Sequence, residues 1–354
     1  MAEQAPREAG SSWMRSAART FRRGICRATG LASAEEMAAL RRELFKESDS
    51  ILLVHKKLST ALREQKKQIE ELVLLNRELL TAVGEKGLTG RVKQVNAGVQ
   101  AAIRRLYVDP AELPPPHNLL AQRFGILSQN AEDGLTWAIF KLAGVTNRRF
   151  VEIGSGTNGG NSGFLAEDCG WTGMMVDASV ERISKVRARF GSQVAAVSSW
   201  VTRENVNAMI TEHGFSGEVD LLSIDIDGND FWVWEAITAC SPRLVIVEYN
   251  AHFGPDRAVT VPYAEEFDRH RFQDMRYYGT SLAALACLAV RKGYRLVAVE
   301  PRGVNAYFLR RDVCPAIPEG RPDSLFRSGE QTKSWKTDVY AVAAQHQLPL
   351  VEID

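Results

Sequence analysis

The stretch Phe150-Val151-Glu152-Ile153-Gly154-Ser155-Gly156 constrains this chain more than any other. It reads as a short buried strand running into a glycine turn, with an acid two residues before the first glycine. About twenty residues on, a second apolar run, Gly173-Met174-Met175-Val176, ends in Asp177. A strand, a glycine turn, a helix and a second strand tipped by a carboxylate make one βαβ unit, which points to a parallel α/β sheet. Gly154 and Gly156 permit positive φ and carry no Cβ, so a ligand can approach the main chain closely. A helix starting near Gly160 would offer free N–H groups and partial positive charge to an anionic group.

The alternation continues downstream. The spacing predicts helices over 131–143, 160–168, 179–190, 202–212 and 230–238, interleaved with strands over 149–153, 173–177, 193–197, 219–225 and 243–249. A helix over 280–292 follows. Strands Tyr294–Val299 and Asn305–Leu309, joined by Glu300-Pro301-Arg302-Gly303, then read as a closing antiparallel hairpin. The expected fold is α/β: a Rossmann-like seven-stranded sheet over 118–313, preceded by a helical coiled coil. The Pro-rich stretch 109–117, with Pro114-Pro115-Pro116, reads as a stiff linker. Residues 314–354, with scattered prolines and glycines, read as a loosely packed tail.

The N-terminal third has a different character. Residues 1–30 hold Arg15, Arg19, Arg22, Arg23 and Arg27, with no acid from Gly10 to Ala34. Three readings stay open: a disordered basic tail, an amphipathic helix over 11–27 on an anionic membrane surface, or an organelle transit peptide. Over 31–108 the seven-residue row Met37, Leu44, Ile51, Leu58, Gln65, Leu72 and Leu79 is apolar except at Gln65. Such a row needs a partner helix. At 1.5 Å per residue the helix over 35–83 would run about 70 Å, too long to pack on one small domain. Homo-oligomerisation through a coiled coil is the preferred reading, and a helical hairpin the alternative. Counting associated chains before and after deletion of residues 1–110 separates the two.

Composition narrows the remaining choices. A net charge of +1 argues against nucleic-acid binding driven by phosphate contacts. Cys26, Cys169, Cys240, Cys287 and Cys314 form no CxxC pair, which argues against structural zinc and for a reducing compartment. With no apolar run long enough to cross a bilayer and no apolar h-region at the start, the expectation is a cytoplasmic chain, with peripheral membrane contact as a further option.

Two cofactors compete for the glycine turn. Gly154, Gly156 and Gly159 formally meet the G-x-G-x-x-G spacing of an NAD site. The acid before the turn and the closing hairpin favour S-adenosylmethionine. Asp177 suits the hydroxyls of a ribose in either case.

Residues 128–354 resemble class I S-adenosylmethionine-dependent methyltransferases, and more closely their FkbM-type group. The resemblance rests on Ser128-Gln129-Asn130-Ala131-Glu132-Asp133-Gly134, Val151–Gly156 with Asn161-Ser162, and Gly170-Trp171-Thr172-Gly173. Ile224-Asp225-Ile226-Asp227-Gly228-Asn229-Asp230, Val247-Glu248-Tyr249-Asn250 and Asn305-Ala306-Tyr307-Phe308 complete it. The resemblance implies methyl transfer to oxygen, often on sugars or glycosylated natural products. It implies that Glu152, Gly154 and Gly156 line the methionine and ribose side, that Asp177 takes the ribose, that Ser198 and Ser199 lie near the adenine, and that Ser155 and Asn161 are further cofactor-binding residues. The inserted Thr157-Asn158-Gly159-Gly160 departs from the shorter turn of many members.

Leu221-Leu222-Ser223-Ile224-Asp225-Ile226-Asp227 places acids at the C-terminal end of an apolar strand, the edge where open α/β sheets bind ligands. Asp225 is a candidate to position the acceptor, take its proton or bind a hard cation. Asp225, Glu248 and Asn250 offer oxygen ligands suited to Mg²⁺, an arrangement similar to that of catechol and some sugar O-methyltransferases. His252 is a second candidate base. Asp230 reads as a helix cap, and Trp232 and Trp234 as core. Two rival functions remain: a coiled-coil scaffold whose methyltransferase-like domain does not turn over, and an NAD-binding enzyme.

Overall fold

The computed structural model describes residues 109–272, 274–328 and 338–354, together with the isolated helical positions Arg42, Thr60 and Lys67. Apart from those three, the basic segment of residues 1–30 and the coiled-coil region of 31–108 lie outside the described residues. The chain divides into a unit over Met1–Glu71 and another over Leu72–Asp354, and the sheet belongs to the second.

After a helical turn α1 (His117–Leu120) and α2 (Glu132–Ala143), the chain alternates: β1 (Arg149–Ile153), α3 (Gly163–Cys169), β2 (Thr172–Asp177), α4 (Val180–Phe190), β3 (Val194–Ser198), α5 (Val206–Glu212), β4 (Gly217–Ile224), α6 (Asp230–Ala236) and β5 (Cys240–Glu248). A short strand β6 (Val259–Thr260) precedes α7 (Leu282–Arg291), β7 (Tyr294–Val299) and β8 (Asn305–Arg310). The turn α8 (Pro322–Leu325), α9 (Val339–Gln345) and β9 (Val351–Glu352) end the chain. Every expected strand and helix of the alternation forms, with ends displaced by a few residues. The largest shift at a helix start near the glycine turn is at α3, which begins at Gly163 because residues up to Ser162 are spent on turns.

Seven strands form one sheet in the order β3-β2-β1-β4-β5-β8-β7. The first five are parallel, and β8 runs antiparallel to both β5 and β7. The sheet is buried on both faces, which is why its strands read as near-continuous apolar runs. Val151, Ile153, Leu222, Val245 and Phe308 face one core; Phe150, Met175, Leu221, Ile246 and Tyr307 face the other. Trp234 belongs to the first, 4.9 Å from the Phe308 ring and 6.0 Å from that of Tyr294. Trp232 is half-buried and donates its indole N–H to the Val261 carbonyl. Among the described residues no helix is long and apolar enough to cross a membrane.

Residues 250–281, between β5 and α7, carry no regular sequence period and form a cap. Phe253, Val259, Val261, Phe267 and Tyr277 make a third, smaller core with Val339 and Ala343 of α9. The expectation of a loosely packed C-terminal tail is therefore corrected. β9 pairs with β6, the Tyr340 hydroxyl donates to the Phe253 carbonyl, and that of Tyr277 to the Pro349 carbonyl. Nearer the sheet, the buried Arg295 donates to the carbonyls of Arg310, Val313, Cys314 and Ile317. An apolar strap and a buried guanidinium hold what scattered prolines and glycines made look loose.

Candidate active site

In an order of 3-2-1-4-5 the chain leaves β1 in opposite directions, and the crevice between β1 and β4 opens at their C-terminal ends. A cavity of about 310 Å³ lies there. Gly154 and Gly156 after β1, Asp177 at the tip of β2, Ser199 after β3, and Asp225 and Asp227 after β4 all line it. Arg182 of α4, Trp200, and the cap residues Phe267, Asp268, Arg269 and His270 complete the wall.

The glycine turn is shaped by what crosses behind it. Gly154 has φ +92°, and a Cβ there would fall 1.7 Å from the Asp225 carbonyl oxygen. Glycine at this position is therefore dictated by the neighbouring chain as well as by backbone conformation. Gly156 differs: a Cβ there would meet only Asn158 Oδ1, at 3.4 Å, which leaves room beside the backbone for a ligand. Its N–H donates to Asp177 Oδ2 at 3.1 Å, and the Ser179 N–H donates to Oδ1 at 2.8 Å. Arg182 Nη1 lies 3.5 Å from Oδ2. Asp177 is 7% exposed, so the carboxylate is held in one orientation at the cavity wall.

Glu152 does not face the cavity. It is fully buried on the sheet face occupied by α3. Its carboxylate accepts from the Asn161 N–H (3.1 Å) and the hydroxyls of Ser162 (2.5 Å) and Ser223 (3.0 Å). Burial outweighs those hydrogen bonds and pushes its pKa up to about 7. Glu152 and Asn161, expected as cofactor contacts, are not in the cavity lining and instead form a brace that ties the long glycine turn to β1 and β4. Asn161 Nδ2 completes it by donating to Ser223 Oγ. Ser155 is buried, with its N–H donating to the Val176 carbonyl, and does not line the cavity. Of the serine pair, Ser198 is exposed and Ser199 reaches the wall.

At the acidic edge, Asp225 is raised well above the usual carboxylate range, first by burial and then by the charges of Asp230, Asp227 and Glu152. It shares a hydrogen bond with Glu248, which is also raised by burial and by Asp225. Asp230 does not cap the helix as expected: it is the first residue of α6, whose N-cap is Asn229, and its carboxylate instead ties the preceding turn by accepting from the N–H groups of Ile226 (2.9 Å) and Gly228 (2.9 Å).

The expected oxygen set for a metal changes. Asn250 is fully buried and donates to the carbonyls of Arg276 (2.7 Å) and Tyr278 (2.8 Å), while its Oδ1 accepts from the His252 N–H (2.9 Å). It anchors the cap. The carboxylate that joins Asp225 and Glu248 is Asp227, with one oxygen of each within 4.8 Å of the others. His252 sits on the turn after Asn250, outside the cavity lining, and burial and the Arg276 charge lower its pKa. The histidine on the cavity wall is His270. Nothing in the sequence tied the cap residues 267–270 to the strand ends; the only cue was a basic and aromatic cluster, Phe267 to Phe272, in a long unpatterned stretch.

No family model and no curated protein matches this chain. Solved structures similar to it include an O-methyltransferase from Bacillus cereus in complex with SAH, at 15% identity over 68% of this chain and 98% of that one, with a TM-score of 0.34. The methyltransferase domain of bacterial CtHen1 is 18% identical over 51% and 97%, with a TM-score of 0.33. The mitomycin 7-O-methyltransferase MmcR is 16% identical over 51% and 53%, with a TM-score of 0.31. These likenesses are distant, and the functional reading rests on the geometry of the cavity.

Proposed function

We propose that this protein is an S-adenosylmethionine-dependent O-methyltransferase acting on a hydroxyl of a sugar or glycan-like acceptor. The observation that carries the reading is the meeting, in one cavity, of the fixed carboxylate at the tip of β2, the glycine turn after β1 and the acid-tipped end of β4. The volume falls within the usual range for small-molecule sites. Asp177, oriented by two backbone N–H groups, is placed to accept both hydroxyls of a ribose. The open side of Gly156 admits the ligand against the main chain. The placement of β8 between β5 and β7, antiparallel to both, favours this cofactor over NAD, whose typical sheet runs in the order 3-2-1-4-5-6.

When bound, S-adenosylmethionine supplies a methyl group on a sulfonium, open to in-line attack. The chain's own part is to hold and to take a proton. Asp177 and the glycine turn fix the nucleoside end. Asp225 faces the same cavity and accepts the proton that the acceptor hydroxyl gives up as its oxygen gains the methyl group. Its raised pKa brings it nearer the working pH of a general base. Asp225, Asp227 and Asp268 make an acid-rich wall, which supports a hydroxyl-bearing acceptor because hydroxyls donate to carboxylates.

Turnover tests the reading. The full chain, incubated with S-adenosylmethionine and a panel of sugars and glycosides, should form S-adenosylhomocysteine and a methyl ether. A chain that binds the cofactor yet forms neither across the panel is the non-catalytic scaffold instead.

A further inference from the structure

The three carboxylates at the ends of β4 and β5 pose an electrostatic problem. Glu248 is 8% exposed, and its Oε2 has no hydrogen-bond partner. Asp227 sits at φ 56°, a left-handed conformation that few side chains adopt. One oxygen of each lies within 4.8 Å of the others, and like charges this close are relieved by a nearby cation. Of the three, Asp227 is the one that reaches outward, with 53% of its side chain exposed.

Its partner comes from the cap. Arg269 Nη1 lies 2.6 Å from Asp227 Oδ1. The guanidinium carbon is 4.9 Å from the centre of the Tyr278 ring, a cation–π contact that fixes the arginine from its other side. The cap is pressed onto the same turn: a Cβ on Gly228 would fall 2.2 Å from Phe267 Cδ1, and Asn229 Nδ2 donates to the Ala264 carbonyl at 2.7 Å.

We propose that Arg269 is the counter-cation of the acidic strand end, a positioning residue that latches the cap by bringing its charge to the place a divalent ion would otherwise take. Closing the cap and neutralising the acids are then one event. A divalent ion and this latch exclude each other. Mg²⁺ favours a near-octahedral shell of oxygens. Here Asn250 is turned to the cap carbonyls and Asp227 is held by the guanidinium, so an ion must displace Arg269 to complete its shell. The latch rests on the proposed active site only in sharing its cavity, and its test needs no turnover.

Hydrogen exchange and a metal titration on the full chain decide the matter. Arg269→Ala and Asp227→Asn should each raise exchange of the cap amides over 259–281 by about tenfold, and the double variant should add nothing to the larger single effect. Arg269→Lys keeps the charge without the fork and should recover part of the protection. In a Mn²⁺ titration followed by the spin-resonance signal of the free ion, Arg269→Ala should bind about tenfold more tightly than wild type. Should Arg269→Ala fail to fold, Asp227→Asn and Arg269→Lys give the exchange result alone. Unchanged cap exchange in these variants, or wild type binding Mn²⁺ as tightly as Arg269→Ala, overturns the proposal. Exchange and metal results as predicted, with no methyl transfer by wild type, would leave the latch standing and remove the enzymatic reading.

Discussion

Glu152→Gln separates a ligand contact from a structural brace. The buried carboxyl has a pKa of about 7 in the folded chain, against an ordinary 4.5. A carboxyl raised on folding binds its proton more tightly in the native state. Its contribution is therefore fully present below about pH 4.5 and lost as pH rises through about 7. Integrating between those two values, Glu152 alone removes about 2 kcal/mol of stability from the wild type between about pH 5.5 and about pH 8. The glutamine side chain of the variant cannot ionise. Its oxygen can still accept from the Asn161 N–H, and its amide can donate to Ser162 Oγ, so the brace survives. Urea unfolding of both full-length chains at the two pH values, followed by tryptophan fluorescence, reads the difference. Other buried acids that titrate nearby, Glu300 at about 7 and Asp230 at about 6, are common to both chains and cancel. The variant should lose about 2 kcal/mol less than wild type across the window, with cofactor affinity unchanged. Equal losses, or a tenfold fall in cofactor affinity, would refute the reassignment of Glu152.

Asp225→Asn should lower kcat by a factor of about 10² to 10⁴, the usual worth of a general base, with little change in cofactor affinity; pre-steady-state methyl transfer measures it. Because its pKa is raised, the wild-type rate should climb with pH as Asp225 loses its proton, and the Asp225→Asn variant should show that limb flattened. Removing residues 338–354 uncovers the cap core formed with Val339 and Ala343. Limited proteolysis should then cut within 250–281 while far-ultraviolet dichroism shows the main sheet intact; an equally resistant cap would show that the strap carries no load.

The sheet was legible in the sequence because its strands are buried on both faces, so Phe150–Ile153, interrupted only by Glu152, and Gly173–Val176 stand out as apolar runs. The closing hairpin was legible from Glu300-Pro301-Arg302-Gly303 between two such runs. Asp177 and Asp225 were legible for the same reason, as carboxylates at the ends of buried strands, and both line the cavity. The placement of Glu152 away from the cavity was not legible, because a strand's period of two tells which residues share a face, not which face meets the ligand. Its row also holds Phe150, which packs in the core below α3. Asn250 looked like a ligand by its place after β5, but the carbonyls it serves belong to residues 276 and 278, whose approach no local pattern announces. The cap escaped for a similar reason. Its core is built from residues about eighty positions apart, such as Phe253 and Val339, and contacts of that range leave no periodic trace.

Calorimetric titration of S-adenosylmethionine and of NAD into wild type and Asp177→Ala tests the central claim most directly. The account predicts binding of the sulfonium nucleoside but not of the dinucleotide, with affinity falling about tenfold to a hundredfold when the β2 carboxylate is removed, as expected for charge-assisted hydrogen bonds. Undiminished affinity in the variant, or a preference for NAD, would contradict it.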